Sequence, residues 1–120
     1  MDCIFCKIIN GEIPSYKVYE DEYVFAFLDI KPNCDGHTLV IPKKHVKDLD
    51  EIDTETLVHV MESAKKVKKI LENKLNPRGI QLVQNNGEIQ EVKHFHIHLK
   101  PYYKDSKISN VEDVYKKIEE

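Results

Sequence analysis

The stretch His94-Phe95-His96-Ile97-His98, closed by Leu99, constrains this 120-residue chain more than any other. In an extended strand, successive side chains point to opposite faces. Phe95, Ile97 and Leu99 are therefore expected to face a core, with His94, His96 and His98 on the other side, neighbours roughly 6.5–7 Å apart. With 6 histidines in 120 residues, such a run is expected only about 0.01–0.02 times by chance, so a merely His-rich surface strand is a poor account of it. A purification tag is excluded, because tags are contiguous and terminal.

The rest of the chain reads as one ordinary domain. A hydrophobic fraction of 41% beside 32% charged residues excludes a disordered polar chain. The net charge of −3 carries no field that would suggest nucleic acid or membrane as a partner. No apolar run approaches the roughly 18 residues of a membrane span, and no signal peptide is seen. Three cysteines are an odd number, and Cys3 and Cys6 are too close for a useful staple, which points to a reducing cytoplasm.

Taken in order, residues 1–10 predict a short helical turn with an apolar side, ended by Gly11 and Pro14. Val18 to Glu20 and Tyr23 to Ile30 predict a hairpin joined at Asp21-Glu22, and His37 to Ile41 a buried third strand stopped by Pro42. Asp53 caps a helix running to about Asn73, with Leu57, Val60, Met61, Ala64, Val67 and Leu71 on one face. Gly79 to Gln84 predicts a fourth strand, followed by an Asn85-Asn86-Gly87 turn and the histidine strand. Val111, Val114 and Ile118 mark a short C-terminal helix. Strands gathered around one long helix give an α+β domain with a mostly antiparallel sheet of about five strands, plus short terminal helices.

Imidazole is a nucleophile, a general base or a metal ligand near pH 7 without much tuning. Two enzymes fit three of them on one face. In one, a ring nitrogen attacks phosphorus while the other nitrogen is pinned by a carbonyl, and a second His holds the phosphate oxygens. In the other, the histidines bind a catalytic Zn²⁺ that activates water. Cys3-x-x-Cys6 is by itself half a zinc site or a redox pair. The redox reading lacks the strand-to-helix setting it needs. A structural zinc needs two more ligands, for which His45 and His94 are the candidates.

His94-Phe95-His96-Ile97-His98-Leu99 resembles the signature of the histidine-triad (HIT) family. Cys3 to Ile9, Gly11 to Pro14, Phe27 to Ile30 and Gly36 to His45 resemble the family's other blocks in the same order, so the resemblance runs from about Cys3 to Tyr102. It is similar to the Hint branch of purine-nucleotide phosphoramidases and nucleotidyl hydrolases. The resemblance implies a single HIT domain over 1–120, with a core over about 3–102 and a C-terminal tail over 103–120. It implies a homodimer acting on AMP or GMP conjugates, with no organic cofactor. His96 becomes the nucleophile that forms a nucleotidyl-histidine, releasing a nucleoside monophosphate on hydrolysis. His98 holds the α-phosphate and assists the leaving group, and His37 completes the polar network. Asp29 takes the ribose hydroxyls, Phe27 and Ile30 wall the base pocket, and Asn85, Gln90 and Val92 lie on the phosphate side. Asp29 as a loop-bonding carboxylate and Asn85 as plain turn chemistry remain alternatives.

Microbial HIT proteins with this N-terminal Cys pair imply a structural zinc held by Cys3, Cys6, His45 and His94. The alternative is a metal-free form in which the two cysteines pack as small hydrophobes. One departure from the branch stands out. Ile89-Gln90-Glu91 replaces a Gly, Gln, Ser segment in a loop about two residues shorter, and Glu91 brings an anion where the branch has a hydroxyl donor. A decayed, non-catalytic nucleotide-binding module is therefore the third reading beside the two enzymes.

Overall fold

Two runs that are buried at every position decide where the sheet lies. Val24–Leu28 and Thr38–Pro42 are buried throughout, so both faces of these strands must be covered. The computed structural model describes residues 3–105 and 107–120, which leaves Met1, Asp2 and Ser106 outside the description. Its strands are β1 (Lys17–Glu20), β2 (Val24–Leu28), β3 (Thr38–Pro42), β4 (Gly79–Val83) and β5 (Ile97–Tyr102). They form one five-stranded sheet in the order β1-β2-β3-β5-β4, with every pairing antiparallel. The helices are α1 (Ile4–Ile9), α2 (Thr54–Leu75) and α3 (Val111–Glu119). This is the expected α+β architecture.

The strand alternation sorts the core into two layers. Val24, Ala26, Leu28, Val40, Phe95, Ile97 and Leu99 pack with Val60, Val67 and Leu71 of α2 and with Val114 and Ile118 of α3. Phe25, Phe27, Leu39 and Ile41 point the other way and pack with Phe5 and Ile8 of α1. The histidine face is the one that α1 partly covers. Helix α2 begins where Asp53 accepts from the Thr56 N–H and ends at Asn76, whose φ of 51° is left-handed. Met61, expected on its apolar face, is 40% exposed, because it lies at the edge of the stripe formed by Val60, Ala64 and Val67.

The histidine strand is shorter than its alternation suggests. β5 starts at Ile97, so His94 and His96 precede it. The β3–β5 ladder runs from Thr38–Leu99 to Val40–Ile97 and goes no further. Pro42 has no N–H to offer, and its carbonyl instead takes the His94 ring nitrogen at 2.8 Å. Similarly, the Val46 carbonyl takes the Phe95 N–H at 2.7 Å. The in–out alternation persists across the break, which is why the three rings still share a side. The other differences are at element ends: β2 is shorter than Tyr23–Ile30, α2 runs to Leu75, and Gly87–Ile89 forms a 3-10 turn.

The loop before β3 is held by glycine. Gly36 has φ +83°, and a Cβ there would run into Leu75 Cδ1 and lie 3.3 Å from Pro101 Cγ. Gly11 has a similar φ of +79° with open space around it. Gly11→Ala therefore carries only the left-handed backbone cost, on the order of 1–2 kcal/mol. Gly36→Ala adds a clash with α2 and is expected to cost more, with a correspondingly lower urea midpoint. Equal midpoints for the two variants would show that the packing around Leu75 yields freely.

Candidate active site

The site is assembled from α1, the end of β3, the loop between β2 and β3, and the approach to β5. Cys3 and Cys6 lie one turn apart at the start of α1, where Cys3 Sγ caps the helix by accepting the Cys6 N–H at 3.4 Å. This turn places both sulfurs beside His45 and His94. Cys3 Sγ is 3.4 Å from His94 Nδ1, Cys6 Sγ is 3.4 Å from His45 Nδ1 and 3.7 Å from His94 Nδ1, and the two ring nitrogens are 3.2 Å apart. Zinc bonds of about 2.3 Å to sulfur and about 2.0–2.1 Å to nitrogen imply tetrahedron edges of about 3.3–3.8 Å. These four donor spacings lie close to those edges. The tautomer also fits. His94 Nε2 donates to the Pro42 carbonyl, so Nδ1 presents its lone pair to the sulfurs, as a metal ligand must.

His94 serves the next residue of the row through its backbone. His96 Nδ1 lies 2.7 Å from the His94 carbonyl oxygen, which accepts the ring N–H. The other nitrogen, Nε2, is left with its lone pair. Phe5 stands edge-on to this ring at 5.1 Å and shields it. Burial holds the His96 pKa below its usual value, which keeps the ring neutral and nucleophilic.

A second chain of hydrogen bonds fixes His37 and His98. The Asn33 N–H donates to His37 Nδ1 at 3.1 Å, so the His37 proton is on Nε2. That nitrogen is 2.9 Å from His98 Nδ1 and donates to it, which puts the His98 proton on Nε2. Burial, and after it His96 and His37, lower the His98 pKa to about 4. Burial also lowers that of His37, against the opposing pull of Asp29. The outcome is one acceptor nitrogen on His96 and one donor nitrogen on His98, in neighbouring rings whose centroids are 4.9 Å apart. A phosphate needs this pair: a lone pair for phosphorus and an N–H for a non-bridging oxygen.

His96 and His98 open into a cavity of about 230 Å³ lined also by Phe5, Leu39, Asn85 and Val92. Lys31, Asn33 and Lys100 border it, as do Ile89 and Glu91. Of the expected substrate residues, Asn85 and Val92 are therefore on its wall. Asp29 is beside the network: Oδ1 accepts the Lys31 N–H at 2.9 Å, and Oδ2 is 3.8 Å from His37 Nε2. It bonds its own loop and also faces a site histidine.

Three expected residues lie elsewhere. Phe27 is buried against Phe5, ring centroids 5.6 Å apart, so Phe5 stands on the wall and Phe27 supports it from behind. Ile30 is 72% exposed at the start of the loop and is not part of the cavity lining. Gln90 is turned away from the cavity, because its Nε2 donates to the Lys47 carbonyl at 2.6 Å. That bond ties the segment carrying Glu91 and Val92 to the chain just after His45. Sequence reasoning missed Phe5, Leu39, Lys31, Asn33 and Lys100. Lys100 had a signal, since it continues the alternate positions of His96 and His98. Leu39 had none, because only the β3–β5 register sets it opposite His98.

A triad-bound zinc does not fit this arrangement. Among the described residues, two groups could hold an ion: Cys3, Cys6, His45 and His94, and separately Asp29, His37 and His98. The three triad rings are thus divided, and His96 is in neither group.

Known proteins resemble the chain in both sequence and shape. The HIT domain profile matches residues 10–105. An uncharacterized HIT-like protein of Methanocaldococcus jannaschii is 52% identical over 103 residues, covering 84% of this chain and 79% of that protein. The adenosine 5'-monophosphoramidase of Saccharomyces cerevisiae is 50% identical over 101 residues, covering 82% of this chain and 61% of that one. The crystal structure of a zinc-bound histidine triad family protein from Mycobacterium smegmatis has a TM-score of 0.89 at 32% identity, covering 98% of this chain and 91% of that one.

The hydrogen bonds predict ring states that can be read directly. Long-range ¹H–¹⁵N spectra at pH 7 should show neutral His96 protonated on Nδ1 and neutral His98 protonated on Nε2. With a pKa near 4, His98 should remain neutral at pH 5.5, where an ordinary histidine is mostly charged. A charged His98 at that pH, or the opposite tautomer, would contradict the network.

Proposed function

The chain belongs to the HIT family, in its Hint-like branch, and from that premise we propose that it is a nucleotidyl hydrolase or transferase. It cleaves at the α-phosphate of a nucleoside 5'-phosphoramidate or related conjugate through a covalent nucleotidyl-histidine at His96. The observation that carries this reading is the 2.7 Å contact from His96 Nδ1 to the His94 carbonyl, which leaves Nε2 with the lone pair that a nucleophile needs. That nitrogen attacks phosphorus, a nitrogen–phosphorus bond forms, and the bond to the leaving group breaks. The leaving nitrogen takes up one proton from solvent water in the cavity, because neutral His37 and His98 keep theirs in the hydrogen-bond chain. Water then attacks the intermediate, releases the nucleoside monophosphate and returns the proton. The His98 N–H holds a phosphate oxygen through both steps.

The nucleoside is a purine conjugate of AMP or GMP in this reading. Asp29 accepts from the ribose hydroxyls, a task suited to a carboxylate. Asn85 and Val92 face the phosphate from the cavity wall, and Phe5 backed by Phe27 supplies apolar surface. Zinc, if bound by Cys3, Cys6, His45 and His94, supplies structure alone: it locks the His94 backbone that orients His96. The homodimer belongs to the proposal as well, and β4 is a sheet edge that leaves Leu82 44% exposed. The cytoplasm is proposed from the three free thiols.

His96→Asn should lower turnover of an adenosine phosphoramidate by at least about 10³-fold while AMP binding stays within a few-fold. A slow substrate should leave an acid-labile nucleotidyl adduct on His96 of the wild type. Persistent turnover in His96→Asn would refute the mechanism. Wild type that binds AMP as well as His96→Asn and turns nothing over would instead mark a binding module.

Replacing both Cys3 and Cys6 by serine should lower bound zinc from about one per chain to near zero and lower the melting temperature. A wild-type protein purified without stoichiometric zinc would overturn the metal assignment.

A further inference from the structure

The reaction at His96 and His98 employs neither Lys31 nor Lys100, although both line the same cavity. Their placement follows from two separate parts of the fold. Lys100 is two residues beyond His98 on β5, roughly 6.5–7 Å further along the same side of the strand. It pairs across the ladder with Gln81 of β4, on the sheet's edge. Lys31 comes from the loop between β2 and β3, where its N–H is fixed by Asp29 Oδ1. Asn33 of that loop lines the cavity too and holds His37 through its backbone. Among the described residues, neither lysine is in an ion pair, whereas Lys17, Lys43, Lys44, Lys65, Lys68 and Lys116 all have acidic partners.

His96 brings a lone pair and His98 a single N–H to the phosphate, so the compensation of its charge falls to other groups on the cavity wall. Two ammonium groups are more than one scissile phosphate monoanion requires. The carboxylate of Glu91 borders the cavity from the other segment, beside Asn85, Ile89 and Val92. It disfavours a second anion on that side, beyond the scissile phosphate, and leaves the Lys31–Lys100 side as the place for one. The side chains also indicate which anion. Ammonium groups are compact charges with rotatable donors, suited to phosphate, whereas flat two-point carboxylate recognition favours arginine. The sole arginine, Arg78, is not on the cavity wall.

We propose that Lys31 and Lys100, together with Asn33, form a subsite for a second anionic group of the substrate, a phosphate beyond the scissile one. The chain would then prefer nucleotide conjugates carrying such a group over those with a neutral leaving group. The second phosphate lies either in the leaving group or on the nucleoside. This inference rests on the nucleotidyl-transfer reading for its substrate, but its test requires no turnover.

The measurement is calorimetric titration at low ionic strength of wild type, Lys31→Met, Lys100→Met and the double variant, with melting curves to verify folding. The ligands are AMP, adenosine 5'-(α,β-methylene)diphosphate, which cannot be cleaved between its phosphorus atoms, and adenosine 3',5'-bisphosphate. Wild type should bind one of the two doubly phosphorylated ligands on the order of tenfold tighter than AMP, and salt should erode the preference. The double variant should lose that preference while holding AMP within about threefold. A preference for the methylene diphosphate places the subsite on the leaving-group side, and one for the bisphosphate places it on the nucleoside. Equal affinities for all three ligands in wild type, or a preference unchanged in the double variant, would overturn the proposal. An inactive His96 would leave this result standing, and loss of the subsite would leave the His96 adduct test intact.

Discussion

One peptide unit joins the two halves of this site. The ring of His94 faces Cys3, Cys6 and His45, while its carbonyl oxygen accepts from His96 Nδ1 at 2.7 Å. The position of the His96 ring is therefore set by whatever fixes His94. Three constraints do so: the Pro42 carbonyl on Nε2, the sulfur and nitrogen donors on Nδ1, and the Phe5 edge at 5.8 Å. An imidazole oriented by a rigid backbone carbonyl needs no acidic side chain to select its tautomer. The cost of such a design is that residues distant from the chemistry control its geometry.

Much of this was legible because the chemistry sits on a period-2 pattern. Phe95, Ile97 and Leu99 enter the α2 side of the core, and the alternation alone says that the histidines cannot. The Cys3–Cys6 spacing is one helical turn and announced a paired donor set. What the sequence withheld depends on tertiary approach. Ile30 is apolar and next to Asp29, yet the chain leaves the sheet there and exposes it. Gln90 is polar and near the triad, but a free carbonyl at Lys47 captures its amide. Phe5 precedes the triad by ninety residues of chain and touches it only because α1 folds over the sheet. The early end of the histidine strand was readable in principle, since Pro42 has no N–H to offer the residues that precede β5.

The site also shows how a protein buries several imidazoles at little electrostatic expense. Burying charged rings together would be costly, and burying neutral rings without partners would leave polar nitrogens unsatisfied. Here the nitrogens facing protein have assigned roles: Asn33 donates to His37, His37 donates to His98, and His96 donates to the His94 carbonyl. Only the nitrogens directed at the cavity stay available. The same bonds that make the rings tolerable in the interior also give them their opposite polarities toward a phosphate. Stability and catalysis share one set of hydrogen bonds.

The contact of Cys3 with His94 spans 91 residues at 3.4 Å. Ser109 in turn donates to Asp35 Oδ1, and the Tyr103 hydroxyl donates to the Asp35 carbonyl, so the tail is laced to the loop that carries Asn33 and His37. Contacts of such separation close late in folding, after the local turns and hairpins have formed. On the ribosome, the helix bearing Phe5 emerges well before His94 and His96 and must wait for the intervening strands and helix before it has a ring to cover. The oriented and shielded His96 ring is thus complete only once α1, the end of β3 and the approach to β5 have come together.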